Sequence, residues 1–115
     1  MAKVMLKIID QVDDKLLQEI VRRIVDTVQP EKIVLFGSYA YGSPTGKSDL
    51  DILVIANSTL PRYRRSVPIY KALAGLLIPK DIVVYAPEEI EEWKEVPQAF
   101  VTTALNRGKV IYEKK

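Results

Sequence analysis

Ile33-Val34-Leu35-Phe36-Gly37-Ser38 and, after a turn-rich interval, Ser48-Asp49-Leu50-Asp51-Ile52-Leu53-Val54 are the stretches that decide the fold. Four apolar residues stopped by a glycine read as a short buried strand. Leu50 to Ala56 reads as a second strand. Between them, Gly42, Pro44 and Gly46 mark the chain from Ser38 to Ser48 as turn. Asp49 and Asp51 are two residues apart, so on a strand their side chains share one face. Asp is a poor strand former, and two anions on one face repel. A divalent cation between them would offset that cost. Taken alone, the pair also suits an exposed strand end with two solvated acids. Gly37-Ser38 is open in the same way. Glycine lets a backbone approach a ligand, and N–H groups at a helix start, with a Ser hydroxyl, can bind phosphate. By itself the dipeptide is as a rule only a turn.

Outward from this centre, Leu16, Leu17, Ile20, Val21, Ile24, Val25 and Val28 recur at helical spacing. Asp13 and Asp14 stand where negative charge suits a helix start, and Gln29-Pro30 ends the helix. Val4 to Val12 is apolar but fits either a leading helical turn or an edge element. After the second strand, Pro61 is expected to open a helix behind Ser58 or Thr59. It should run toward Leu77, with Ile69, Leu73, Leu76 and Leu77 inward and a kink or break at Pro68. Ile82 to Tyr85 is a third strand, Pro87 opens an acidic helix over Glu88 to Glu95, and Pro97 opens another that stops at Gly108. Val110-Ile111-Tyr112 is a fourth strand. The expectation is one α/β (α+β) domain over residues 1–115, with a small mixed sheet of about four strands flanked by helices.

The chain has 115 residues, 48% of them hydrophobic and 28% charged, so it can bury one thin core. It has no Cys, which excludes disulfides and thiolate metal sites, and no His, which excludes His bases and His-ligated zinc. Any metal must then sit on oxygen, which favours Mg²⁺ or Mn²⁺. A net charge of +2 does not support non-specific nucleic-acid binding. Met1 to Ile9 is short, carries Lys3 and Lys7 and makes a poor signal peptide, and no apolar run approaches the roughly 20 residues of a membrane span. A cytoplasmic protein is expected. Asp81 precedes its strand as Asp51 precedes its own apolar run. If strands two and three pair in register, Asp81 joins the other acids, and three carboxylates can hold two metal ions for phosphoryl transfer. Asp81 could also accept the acceptor's proton. A strand-start Asp serving as a turn or cap is the competing role.

Gly37-Ser38-Tyr39-Ala40-Tyr41-Gly42 with Ser48-Asp49-Leu50-Asp51-Ile52-Leu53-Val54 resembles the signature of the minimal nucleotidyltransferases of the DNA polymerase beta superfamily. The likeness runs from about Leu16 to Tyr112, including Ala86-Pro87-Glu88-Glu89 and Trp93 to Pro97. It implies a polymerase-beta-like fold, with Gly37, Ser38 and Ser48 at the nucleotide phosphates. It also implies Asp49, Asp51 and Asp81 as the catalytic, metal-binding triad. ATP is the implied donor and Mg²⁺ the implied cofactor, with two ions accommodated and Mn²⁺ as a substitute. Stand-alone members of this kind pair with small helical HEPN-domain toxins, as antitoxins that attach AMP to a toxin tyrosine. A protein adenylyltransferase antitoxin of the MntA type is therefore the leading expectation. Two alternatives stand beside it: a small-molecule transferase like those that act on aminoglycosides, and a non-catalytic antitoxin that masks its partner. Nucleic acid is not expected as a direct substrate, and a homo-oligomer stays open.

The remaining candidates have weaker grounds. Arg62, Arg64, Arg65 and Lys71 could meet a triphosphate or an acidic partner, but a solvated helix face suits them better. Lys47 stands in a loop beside the acids. Tyr39 or Tyr41 could stack on a base or cover the core edge, and Trp93 with Ile90 suits internal packing or a partner.

Overall fold

The computed structural model describes residues 14–37, 49–96 and 99–114. Helix α1 (Asp14–Val28) leads into strand β1 (Lys32–Phe36). Strand β2 (Leu50–Ile55) is followed by a 3-10 turn at Arg62–Arg64, then helix α2 (Val67–Ala72) and strand β3 (Lys80–Tyr85). Helices α3 (Pro87–Trp93) and α4 (Phe100–Arg107) precede strand β4 (Lys109–Glu113).

The four strands form one mixed sheet in the order β3-β2-β1-β4. β1 runs antiparallel to both β2 and β4, while β2 and β3 are parallel. Alternation along the strands sends Ile33, Leu35, Leu50, Ile52, Val54, Ile82 and Val84 to one face. There they pack against Leu16, Ile20 and Ile24 of α1 and Ile69 of α2, with Leu73 just beyond it. Val34, Leu53 and Ile55 point to the other face and meet Val101 and Ala104 of α4. The sheet is thus covered on both sides, which explains why β1 and β2 are almost uniformly apolar.

Polar contacts pin the helices to this frame. Arg23 Nη1 donates to the carbonyls of Ala72 and Ala74, each at 3.2 Å, tying α1 to the C-terminal end of α2. Thr102, the buried polar residue of α4, donates its hydroxyl to Trp93 O at 2.6 Å and so joins α4 to the end of α3. Glu89 accepts from the N–H of Ala86 at 2.7 Å at the start of α3 and pairs with Arg65.

The expected elements are present among the described residues, with two corrections after β2. The expected break at Pro68 is present: Pro68 takes the second position of α2, where its missing N–H costs nothing, but Pro61, expected to open the helix, only flanks the 3-10 turn. Ser58 caps no helix; its Oγ accepts from Leu60 N in a local turn. Because the helix ends at Ala72, Leu77 does not continue its inner face and is 47% exposed, whereas Ile69 and Leu73 are fully buried. Gly108 does end α4, but with extended backbone (φ −79°, ψ 172°). Its smallness matters instead: a β-carbon there would strike the carbonyl of Ala104 and lie 2.6 Å from Val34 Cγ1. Val4 to Val12 and the Pro97 helix start lie outside the described residues.

Candidate functional site

The site follows from strand direction. β1 is antiparallel to β2, so the end of β1 lies beside the start of β2. β3 is parallel to β2, so its start lies there too. Three segments far apart in sequence therefore meet at one end of the sheet. Phe36 faces Asp51 across β1 and β2, and Asp51 faces Asp81 across β2 and β3. The in-register pairing that would bring Asp81 to the acids is present. Paired residues share a face, so Asp51 and Asp81 lie on the α4 side, in line with Leu53 and Val83.

Gly37 closes this end. It has φ +74°, a left-handed conformation that suits glycine. A β-carbon at Gly37 would fall on Oδ2 of Asp51 and 3.1 Å from its Cγ. The absent side chain is what leaves room for the Asp51 carboxylate. The sequence suggested a backbone that approaches a phosphate; the structure adds that it already lies against a carboxylate.

The electrostatics are those of crowded anions. Burial, then the charges of Asp81 and Asp49, push the Asp51 carboxyl above its usual range. Asp49 and Asp81 are exposed and Asp51 is half-buried. Among the described residues no three such side chains are gathered into a ready-made metal cage. Repulsion opposes closing one without a cation. Hard oxygen donors, and an Asp51 whose charge meets only other anions among the described residues, nevertheless suit a hard divalent cation. Ser38, Ser48, Tyr39, Tyr41 and Lys47 lie outside the described residues.

One residue at this end gave no signal in the sequence. Tyr70 of α2 accepts the N–H of Ile82 at 2.8 Å and reaches Asp81 Oδ1 with its hydroxyl at 3.4 Å. No motif marks it, because the contact depends on how α2 crosses the edge of the sheet. The basic cluster resolves differently. Arg65 and Arg62 both pair with Glu89, and Arg62 lies over the Tyr85 ring at 4.6 Å. These two join the 3-10 turn to α3, while Arg64 and Lys71 are exposed. Trp93 is partly exposed, with Ile90 packed on the α4-side core. Lys80 turns its ammonium to the carbonyls of Leu76 and Ile78, and burial lowers its pKa.

A family model described as a nucleotidyltransferase domain matches residues 15–111. A Methanocaldococcus jannaschii protein named "putative protein adenylyltransferase" is 33% identical over 84 residues, 71% of this chain and 78% of that protein. A crystal structure of a toxin–antitoxin with AMP-PNP contains a chain that superposes with a TM-score of 0.62 at 24% identity, covering 86% of this chain and 74% of that one. The structure of a tri-AMPylated Shewanella oneidensis HEPN toxin in complex with an MNT antitoxin gives a TM-score of 0.53 at 22% identity, covering 85% and 70%. At these identities the two structures speak for the shared fold.

Proposed function

The chain belongs to the nucleotidyltransferase domain family, and on that premise we propose that it transfers AMP from ATP to a tyrosine of a HEPN-domain partner, acting as the antitoxin of a toxin–antitoxin pair. The observation that carries the reading is the placement of Gly37, Asp51 and Asp81 side by side across three strands, with Asp49 next to them. The protein acceptor is supported by the name of the Methanocaldococcus jannaschii relative. The ATP donor and the HEPN partner are supported by two structures that share this fold, a toxin–antitoxin with AMP-PNP and an MNT antitoxin in complex with a tri-AMPylated HEPN toxin.

In this reading the turn at Gly37 and Ser38, with Ser48, takes the triphosphate. Asp49, Asp51 and Asp81 would hold Mg²⁺, with Mn²⁺ as a substitute. When bound, the metal would neutralise charge on the phosphate oxygens. The chain's own residues order the site. Gly37 holds the donor end at β1, and Asp81 holds the acceptor end at the outer strand β3. The acceptor hydroxyl loses its proton to Asp81, its oxygen attacks the α-phosphorus, and pyrophosphate leaves. Neither His nor Cys is required.

The test is transfer itself. The purified protein, labelled ATP, Mg²⁺ and a co-expressed HEPN-domain protein should give an AMP adduct on a partner tyrosine. Asp49→Ala should abolish both the adduct and neutralisation of the partner. A variant that neutralises without labelling would establish masking instead, and no adduct with any divalent metal would sink the proposal.

A further inference from the structure

We propose that Tyr70 is a positioning residue for Asp81, and that it sets which carboxylate oxygen serves the reaction. This rests on the proposed transfer at the same site. Among the described residues β3 is an edge strand, paired only with β2, so Ile82, next to Asp81, has there a backbone N–H without a ladder partner on its outer side. Tyr70 supplies one: its hydroxyl oxygen accepts that N–H at 2.8 Å. This fixes the phenol oxygen beside the strand. A hydroxyl that accepts one bond still has its own proton to donate, and Oδ1 of Asp81 is the acceptor it reaches, at 3.4 Å. The distance is long, as such bonds often are before substrate and charge draw a site together.

The consequence is an ordered row across the sheet. Gly37 abuts Asp51, Asp51 is paired with Asp81, and Asp81 is held by Tyr70. The donor end lies on β1 and the acceptor end at β3. With Oδ1 held by a phenol that is itself tied to the backbone, Oδ2 is left to take the metal or the acceptor's proton. Asp81 is otherwise an exposed side chain on an edge strand, and a free carboxylate there would sample several rotamers. Tyr70 narrows them. It has a second role in the fold as the cap of Ile82, and Tyr70→Phe removes only the hydroxyl that serves both.

The experiment is a double-mutant cycle on Tyr70→Phe and Asp81→Asn, read two ways. In AMP transfer from labelled ATP to the HEPN-domain partner, Tyr70→Phe should lower kcat about tenfold, the scale of one positioned hydrogen bond. KM for ATP should change less than kcat, because the hydrogen bond of Tyr70 falls on Asp81 and not on Gly37. In Mn²⁺ binding followed by electron paramagnetic resonance, which needs no turnover, Tyr70→Phe should change the dissociation constant in the Asp81 protein and not in Asp81→Asn. An equal effect in both backgrounds would mean that Tyr70 acts only through folding and would overturn the inference. So would unaltered kcat and Mn²⁺ affinity in Tyr70→Phe, or an AMP group found on Tyr70 itself, which would make it an acceptor. If wild-type protein binds Mn²⁺ as described but labels no partner, the proposed function falls while the positioning of Asp81 stands.

Discussion

Gly37 and Asp51 show how two residue-scale choices depend on each other. Gly37 combines a left-handed backbone with a β-position filled by the Asp51 carboxylate. Gly37→Ala should therefore incur roughly 1–2 kcal/mol of backbone strain and also displace Asp51. Transfer should fall by about 100-fold or more, the range seen when a transition-state contact is lost, while circular dichroism stays native. Near-normal activity in this variant would exclude the coupling. Asp51 itself is a destabilising anion: its carboxyl titrates above the ordinary range through burial and the charges of Asp81 and Asp49. A raised carboxyl favours the fold while protonated, so its stabilising share is present below the unfolded pKa and is lost as pH rises through the folded value. Asp51→Asn should therefore melt higher than wild type at neutral pH without divalent ions, melt like it in acid, and be inactive. Calorimetry with and without EDTA checks this, and a lower melting temperature for the variant at neutral pH would contradict it. Of the candidate site, Gly37 and the Asp-x-Asp pair were legible in the sequence. Tyr70 was not, because a tyrosine on a short helix carries no sign of the edge strand it will reach.

At the scale of elements, the segment between β2 and β3 holds the main departure from sequence expectation. Pro68 divides the segment as expected, but the helix begins only at Val67 and ends at Ala72 instead of running toward Leu77. Pro61, Ser58 and Pro68 were visible in the sequence. Which proline would start the helix depended on Ile69 and Leu73 finding the α1 side of the core. The arginines of the 3-10 turn show the same limit. A solvated face was the favoured expectation, yet Arg65 and Arg62 grip Glu89 of α3. Burial alone would raise the Glu89 carboxyl, but the Ala86 N–H, Arg65 and Arg62 outweigh it and hold it below its usual range. A lowered carboxyl stabilises above the unfolded pKa and loses that share as pH falls through the folded value. Glu89→Gln should thus lose about 1–3 kcal/mol at neutral pH, as a smaller urea midpoint, and the gap from wild type should close in acid. A constant gap across pH would place the loss in packing rather than in the charge.

For the whole molecule, the decisive property is a sheet covered on both faces, with its acids crowded at one end. Among the described residues no helix is long and apolar enough to cross a membrane. Crowded anions predict that divalent binding is coupled to stability: a ligand of the folded state alone raises the melting temperature by mass action. Mg²⁺ or Mn²⁺ should raise it progressively in wild type, and by much less in Asp49→Ala. Equal shifts in the two proteins would put the metal elsewhere. The sequence by itself determined the α/β elements, the apolar strands and the chemical character of the acids, because these depend on local periodicity and on the side chains present. Only tertiary structure decided that β2 and β3 run parallel in the register that sets Asp51 against Asp81. It also decided that Gly37 makes room for Asp51 and that Tyr70 reaches Asp81. These are contacts between distant parts of the chain, and they are settled by how helices and strands share one core.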